Sequence, residues 1–266
     1  MKAHTTAVID PQAEIAEDVE IGAYSIIDGG AVIESGCHIG SHVHLLGRVH
    51  LGRDCRIGPG SIIGADPQAV SFDPTVDSGV WIGPRNNIRE YVTIHRSLYA
   101  GQQTRMGSDN FLMTGVHLGH DASLGDGNII ANNCLLAGHV SLGNRAFLGG
   151  GAVFHQFIRI GDLVMVQGLS AIKQDVAPFT IAAGLNRIAG INSIGLRRAN
   201  FGRAERNAIK RAYELVFRRG LNLSQALAEA EKSSWDEAAN RFFGFFKEKS
   251  HRGFCLHSTH DSAEKG

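Results

Sequence analysis

The sequence predicts a parallel β-helix, a triangular prism of short stacked strands. Three observations predict it: a bulky aliphatic residue every sixth position, a small or β-branched residue four places later, and a composition rich in glycine and poor in aromatics. The 266 residues include 33 glycines and only 7% aromatics, while 43% are hydrophobic, enough for a core built from many small inward side chains and frequent tight corners.

The aliphatic series starts at Ile9 and runs through Ile15, Ile21, Ile27, Ile33, Ile39, Leu45, Leu51, Ile57 and Ile63. It resumes at Ile82, Ile88 and Ile94, and again from Met106 through Leu112, Leu118, Leu124, Ile130, Leu136, Leu142, Leu148, Phe154, Ile160, Val166 and Ile172. A period of six contains a strand's alternation of two and does not match a helix. It fits a strand plus a turn, used three times per coil of 18 residues, with coils stacked about 4.8 Å apart. Each buried aliphatic contributes roughly 1.5–3 kcal/mol. The small positions are filled by Val19, Ser25, Ala31, Cys37, Val43, Val49, Cys55 and Ser61. Cys37, Cys55 and Cys134 therefore read as core packing; no C-x-x-C pair points to zinc ribbons or dithiol chemistry.

Two stretches break the wall. Ile63 and Ile82 are 19 residues apart, one more than a full coil, across a segment holding Pro67, Pro74 and Gly79. Ser97–Thr104 lacks the pattern although the register survives it. Both are candidate loops where function concentrates. After Pro178 the pattern stops, and helical spacing predicts helices over 203–219, 223–232 and 236–249, with Ser224 and Ser234 as candidate N-caps. The prism is expected over 1–186, a helical domain over 187–257 and a disordered tail over 258–266.

Zero formal net charge gives no field for nucleic acid or anionic membrane, and no run of 18 apolar residues or basic–apolar leader is present. A soluble cytoplasmic protein with neither nucleic-acid partner nor membrane span is expected.

Of the 13 histidines, His117, His120, His139 and His155 stand out. One coil on from His120 lies Gly138, and a second coil on lies Gln156, so His139 and His155 fall one residue from that column. Three imidazoles from successive coils should line one edge roughly 5–10 Å apart. Asp121 can hold one nitrogen of His120 and raise the basicity of the other. Gly138, without a side chain, can bring its N–H to a reacting carbonyl as an oxyanion donor. Taken singly such histidines are ordinary turn residues, as His38, His42, His44 and His50 illustrate; taken together they suggest acid–base chemistry. A zinc site from His117, His120 and His139 is the competing chemistry, resembling the γ-class carbonic anhydrases.

The segments NNIREYVTIHR (86–96), GSDNFLM (107–113), VHLGHD (116–121), ANNCLLAGHVSLG (131–143), GGGAVFHQF (149–157) and GLRRANFGRAERNAIKRAYELVFR (195–218) resemble the UDP-N-acetylglucosamine acyltransferase family of lipid A biosynthesis over about residues 5–255. The resemblance implies a left-handed prism with a C-terminal α-helical cap. It implies transfer of a 3-hydroxyacyl chain from an acyl carrier protein thioester to the glucosamine 3-hydroxyl, with no cofactor beyond the carrier's phosphopantetheine. His120 is then the general base, Asp121 its orienting partner and Gly138 the oxyanion donor. His95, His117, His139, His155 and Gln156 would line the sugar, diphosphate and pantetheine site, with Asn192 and Arg198 near the nucleotide or phosphopantetheine. Gly168 matches the position that tunes acyl length, and its missing side chain implies room for a longer chain. A homotrimer with sites between neighbouring prisms is implied too.

Two departures bear on the acceptor. The family's P-Q-D-L-K-Y run reads Pro67-Gln68-Ala69-Val70-Ser71-Phe72 here, losing an Asp and a Lys; Asp73 or Asp77 could replace the acid. N-x-E-G-L-K-R-R becomes Asn192-Ser193-Ile194-Gly195-Leu196-Arg197-Arg198-Ala199. The acceptor therefore stays open between UDP-N-acetylglucosamine and a modified nucleotide sugar, such as a 3-amino analogue that would yield an amide. Arg197, Arg198, Arg203, Arg206, Lys210, Arg211, Arg218 and Arg219 form either a solvated helix face or a patch for an acidic acyl carrier protein.

Overall fold

The computed structural model describes residues 1–257; the tail expected over 258–266 lies outside the described residues. The chain coils as a left-handed parallel β-helix. Its first face is a 12-stranded sheet beginning at Lys2–Ala3, its second a 9-stranded sheet beginning at Val8–Ile9 and its third an 8-stranded sheet beginning at Glu14–Ile15. Strands pair in parallel with the aliphatics in register, as in Ile21 with Ile39 and Leu118 with Leu136. From Ile21 onward these aliphatics form one continuous column of buried side chains, Ile33, Leu45, Ile57, Ile88 and Leu136 among them, and the half-buried Ile9 and Ile15 pack against its end.

The small inward positions stack as well. Cys37, Cys55 and Cys134 are buried and donate to the carbonyls of Gly52, Gly83 and Gly149. Farther along the corner column of Cys37 and Cys55, Asn86, Asn110 and Asn128 form a buried ladder. Each side-chain oxygen accepts from the backbone N–H one coil on, at 2.8–2.9 Å, so no amide in it lacks a partner.

Both loops leave the wall, with lengths that differ from the hexad reading. Leu51 pairs with Ile82, 31 residues on, so one hexad step plus an insertion separates Ile63 from Ile82 rather than a slightly long coil. Ile82 pairs with Met106, 24 residues on, so the second insertion equals one hexad. An insertion of that length leaves the six-residue register intact, which is why periodicity passes over it.

The first face ends with Thr180–Ala183 and an antiparallel strand, Arg187–Ile191, to which Leu256–His257 returns in parallel. The helices lie between: α1 (Ser193–Arg198), α2 (Arg203–Phe217), α3 (Leu223–Ala230) and α4 (Glu237–Lys247). The expected caps Ser224 and Ser234 are displaced by Asn222 and Asp236, whose side chains accept from Gln225 N and Ala239 N. Phe217, Phe242 and Phe246 knit α2 to α4 with ring centroids 5.3–6.2 Å apart. Arg159 fastens the cap to the prism, donating to buried Asp175 at 2.8 Å and to Glu248 beyond α4.

Candidate active site

The corner between the second and third faces carries the dyad. Thr104 Oγ1 accepts from Asp121 N at 2.8 Å, and Asp121 itself stands at φ 59°, a left-handed corner position shared by His139 and Phe157 one and two coils on. That conformation turns the Asp121 carboxylate back onto its neighbour, and His120 Nδ1 lies 2.9 Å from Asp121 Oδ2. Both side chains are mostly buried, 15% and 11% exposed. The carboxylate is held by the second loop as well: Ser97 Oγ donates to Oδ1 and Leu98 N to Oδ2. An acceptor-only carboxylate so engaged fixes the His120 tautomer with its Nδ1 protonated and Nε2 free to accept a proton.

Gly138 forms the floor beneath the ring. A Cβ there would stand 2.4 Å from His120 Cε1 and 2.6 Å from Nε2, so only glycine lets the imidazole lie over this turn. Among the described residues the Gly138 N–H donates to no protein acceptor. Its neighbour His139 meets His120 edge-on at 5.1 Å and stacks on Phe157 at 4.4 Å, with Tyr99 of the second loop on its other side at 6.0 Å.

His95 and His117 approach from the second face, their rings 5.1 Å apart. His95 Nδ1 faces the Asp66 carbonyl at the root of the first loop, and His117 Nδ1 lies 2.9 Å from Thr93 Oγ1. Burial, with added repulsion from His95 and His120, pushes His117 down to about 4, so it is neutral in ordinary buffers. Burial also lowers His139.

The remaining expected residues are placed elsewhere on the chain. His155 and Gln156 lie one coil beyond Gly138 and border a hollow with Ala137 and Lys173. His139 falls in the Asp121 column, whereas His155 falls on the opposite side of His120's, so among the described residues its ring pairs with neither. Gly168 sits at the corner between first and second faces, close to Gly150. Asn192 caps α1, accepting from Gly195 N and donating to Leu163 O at the third–first corner, and Arg198 is exposed at the end of that helix. These groups occupy three different corners of one prism.

The zinc set expected from sequence is not the one assembled. Ligand atoms within 4.8 Å of one another come from His120, Asp121 and His139, without His117. Both Asp121 oxygens already accept hydrogen bonds, which suits an orienting acid better than a metal ligand.

Sequence reasoning missed Ser97, Leu98 and Arg96. Arg96 donates to Asp66 Oδ1, to the Pro74 and Val76 carbonyls and to Ser78 Oγ, and lies over Phe72 at 4.9 Å, pinning the first loop. The loss of hexad pattern at Ser97–Thr104 marked the segment but not its contacts. Asp73 accepts from Thr75 and Asp77 pairs with Arg48 at 2.6 Å, so both acids proposed as replacements in the first loop are engaged locally.

A hexad-built prism presenting a His–Asp dyad over an open glycine N–H is the architecture of a hexapeptide-repeat acyltransferase. Residues 30–65 and 103–138 match the bacterial transferase hexapeptide model, and residues 175–255 match the second domain of UDP-N-acetylglucosamine O-acyltransferase. The chain is 45% identical to the acyl-[acyl-carrier-protein]–UDP-N-acetylglucosamine O-acyltransferase of Herminiimonas arsenicoxydans, covering 94% of this chain and 97% of that one. It is 43% identical to the Janthinobacterium enzyme of the same name, with 94% and 97% covered. Among solved structures, the UDP-N-acetylglucosamine acyltransferase of Francisella novicida matches with a TM-score of 0.91 at 30% identity, covering 97% of this chain and 95% of that one. The Bacteroides fragilis enzyme matches with a TM-score of 0.89 at 37% identity, covering 94% and 98%. The chain belongs to the acyl-[acyl-carrier-protein]–UDP-N-acetylglucosamine O-acyltransferase family and is an acyltransferase.

Proposed function

We propose that this chain transfers a (3R)-hydroxyacyl group from acyl carrier protein to the glucosamine 3-position of UDP-N-acetylglucosamine, the first step of lipid A biosynthesis. The observation that carries the reading is the His120–Asp121 pair at 2.9 Å, seated over the unencumbered Gly138 turn. His120 Nε2 takes the proton of the 3-hydroxyl as its oxygen attacks the thioester carbon. The Gly138 N–H receives the developing oxyanion, the C–S bond breaks, and the proton passes from His120 to the departing phosphopantetheine thiolate. The thioester is already activated, so one base, one donor and positioning suffice without a cofactor.

His95, His117 and His139 border the dyad and serve as sugar and diphosphate contacts in this reading. Gly168, Asn192 and Arg198 lie at other corners, so they can reach a shared substrate only if neighbouring prisms meet. That supports a homotrimer with sites between copies; a monomeric mass by light scattering would contradict it. The exposed Arg203, Lys210, Arg211, Arg218 and Arg219 of the α2 region offer an acidic carrier protein its docking surface. No helix among the described residues is long and apolar enough to cross a membrane, and cytoplasmic catalysis fits the carrier-protein donor.

A 3-amino nucleotide sugar is the second reading, favoured by one observation. The first loop lacks the family's acid and lysine, and Asp73 and Asp77 are committed to Thr75 and Arg48. Labelled acyl transfer from 3-hydroxyacyl carrier proteins of several chain lengths, with both acceptors offered side by side, tests the proposal. Ester product on UDP-N-acetylglucosamine is expected, with long acyl chains accepted because Gly168 has no side chain; exclusive amide product favours the second reading, and transfer to neither refutes both.

A further inference from the structure

We infer that Ser97 is a positioning residue for the dyad: its hydroxyl locks the Asp121 carboxylate so that His120 stays aimed at the acceptor. The inference rests on the acyl-transfer reading and adds a third member to its base. Ser97 is fully buried, and its Oγ lies 2.5 Å from Asp121 Oδ1. The direction of that bond is set by the carboxylate, which has no proton to give, while Ser97 Oγ also accepts from Tyr99 N at 3.0 Å. The single hydroxyl proton is therefore given to Asp121, whose carboxylate can only accept.

The remaining contacts leave Asp121 one orientation. Oδ2 accepts from Leu98 N at 3.2 Å and from His120 Nδ1 at 2.9 Å, so among the described residues Oδ1 has Ser97 alone. His139 Nε2 stands 3.8 Å from Oδ2, outside hydrogen-bond range, and His117 approaches from the second face. No Lys or Arg reaches the carboxylate among the described residues. Without the Ser97 hydroxyl the carboxylate can swing about its χ2 and carry the imidazole with it.

Ser97 is also where the two inserted loops meet. Its carbonyl accepts from Ser78 Oγ at 2.6 Å, at the end of the first loop, and its own N–H faces the Gly79 carbonyl at 3.4 Å. Ser97 thus joins the dyad, through its hydroxyl and across 24 residues of sequence, to the end of the first loop, through its backbone.

The test compares wild type, Ser97→Ala and Ser97→Thr by steady-state kinetics and by the imidazole Nδ1 proton of His120 in NMR. That resonance is assigned by its loss in Asp121→Asn. Ser97→Ala is expected to lower kcat roughly tenfold or more, since a hydrogen bond to a charged group is lost. KM for donor and acceptor should be unchanged, and Ser97→Thr should restore kcat. The Nδ1 proton should broaden by exchange with water in Ser97→Ala and return in Ser97→Thr. A kcat within twofold of wild type together with an unshifted, sharp Nδ1 proton overturns the inference. So does a loss shared by Ser97→Thr or carried by KM, which would assign Ser97 to loop support. The NMR arm needs no substrate, so it decides the role of Ser97 even if wild type turns over neither acceptor, a result that would refute the acyl-transfer reading instead.

Discussion

Gly138→Ala isolates the placement of the His120 ring, the base of the proposed reaction, from the rest of the site. The new Cβ would stand 2.4 Å from His120 Cε1, 2.6 Å from Nε2 and 3.0 Å from Nδ1, about 1 Å inside normal van der Waals contact at the closest atom. The backbone at 138 is not in the left-handed region, so alanine meets no conformational penalty there and must displace the ring instead. The ring is tethered to Asp121 at 2.9 Å, and moving it by an ångström stretches that bond and takes Nε2 off the line of the acceptor hydroxyl. A misplacement of this size costs on the order of 10²-fold in rate. The Gly138 N–H survives the substitution, so the loss measures ring position and not the oxyanion donor. The assay is kcat with both KM values, alongside a thermal melt. A kcat near 1% of wild type with a melting temperature within a few degrees is expected; a kcat within about threefold would refute the argument that the glycine seats the base.

Three further outcomes follow from the same geometry. His117, pushed down to about 4 by burial, refuses a proton that the unfolded chain accepts below its ordinary value of 6.5. Stability should therefore fall as pH drops from 6.5 towards 4, and His117→Gln should flatten that part of the Tm–pH curve; parallel curves would contradict it. Arg96→Lys replaces a fork that holds Asp66, Pro74, Val76 and Ser78 with a point charge, so limited proteolysis within residues 67–77 should quicken roughly tenfold, whereas equal rates would show that the loop is held otherwise. Asn128→Ala breaks the buried ladder at Asn110 and Ala146 and should lower stability by about 1–3 kcal/mol in a denaturant titration; a change below about 0.5 kcal/mol would mean that the ladder is dispensable.

Much of the architecture was legible because the prism is a one-dimensional crystal of hexads. Each aliphatic reports its own burial, and Ile9 through Ile172 could be laid on three faces without knowing any contact. The dyad was legible for the same reason: His120 and Asp121 are adjacent in sequence, and Gly138 is one coil away. The illegible parts depend on chain that leaves the period. A second loop the length of one hexad hides inside the register, so Ser97 and Leu98 could not be placed against Asp121. The projection assigned His139 and His155 symmetrical places beside His120 without saying which side each takes, and the αL corner separates them. At the helices, α3 begins at Leu223 as expected and α4 at Glu237, one residue later than expected, so the capping position falls on Asn222 and Asp236; Ser224 lies inside α3 and Ser234 two residues ahead of the α4 cap. The backbone of the 187–191 strand remains part of the first face, a continuation that no hexad announces.

The central claim, that His120 is the base acting through Asp121 over Gly138, is tested most directly by His120→Ala. With wild-type fold verified by circular dichroism and the better of the two acceptors saturating, kcat is predicted to fall by about 10²–10⁴-fold, the usual worth of a general base. Turnover within a few-fold of wild type would contradict the assignment.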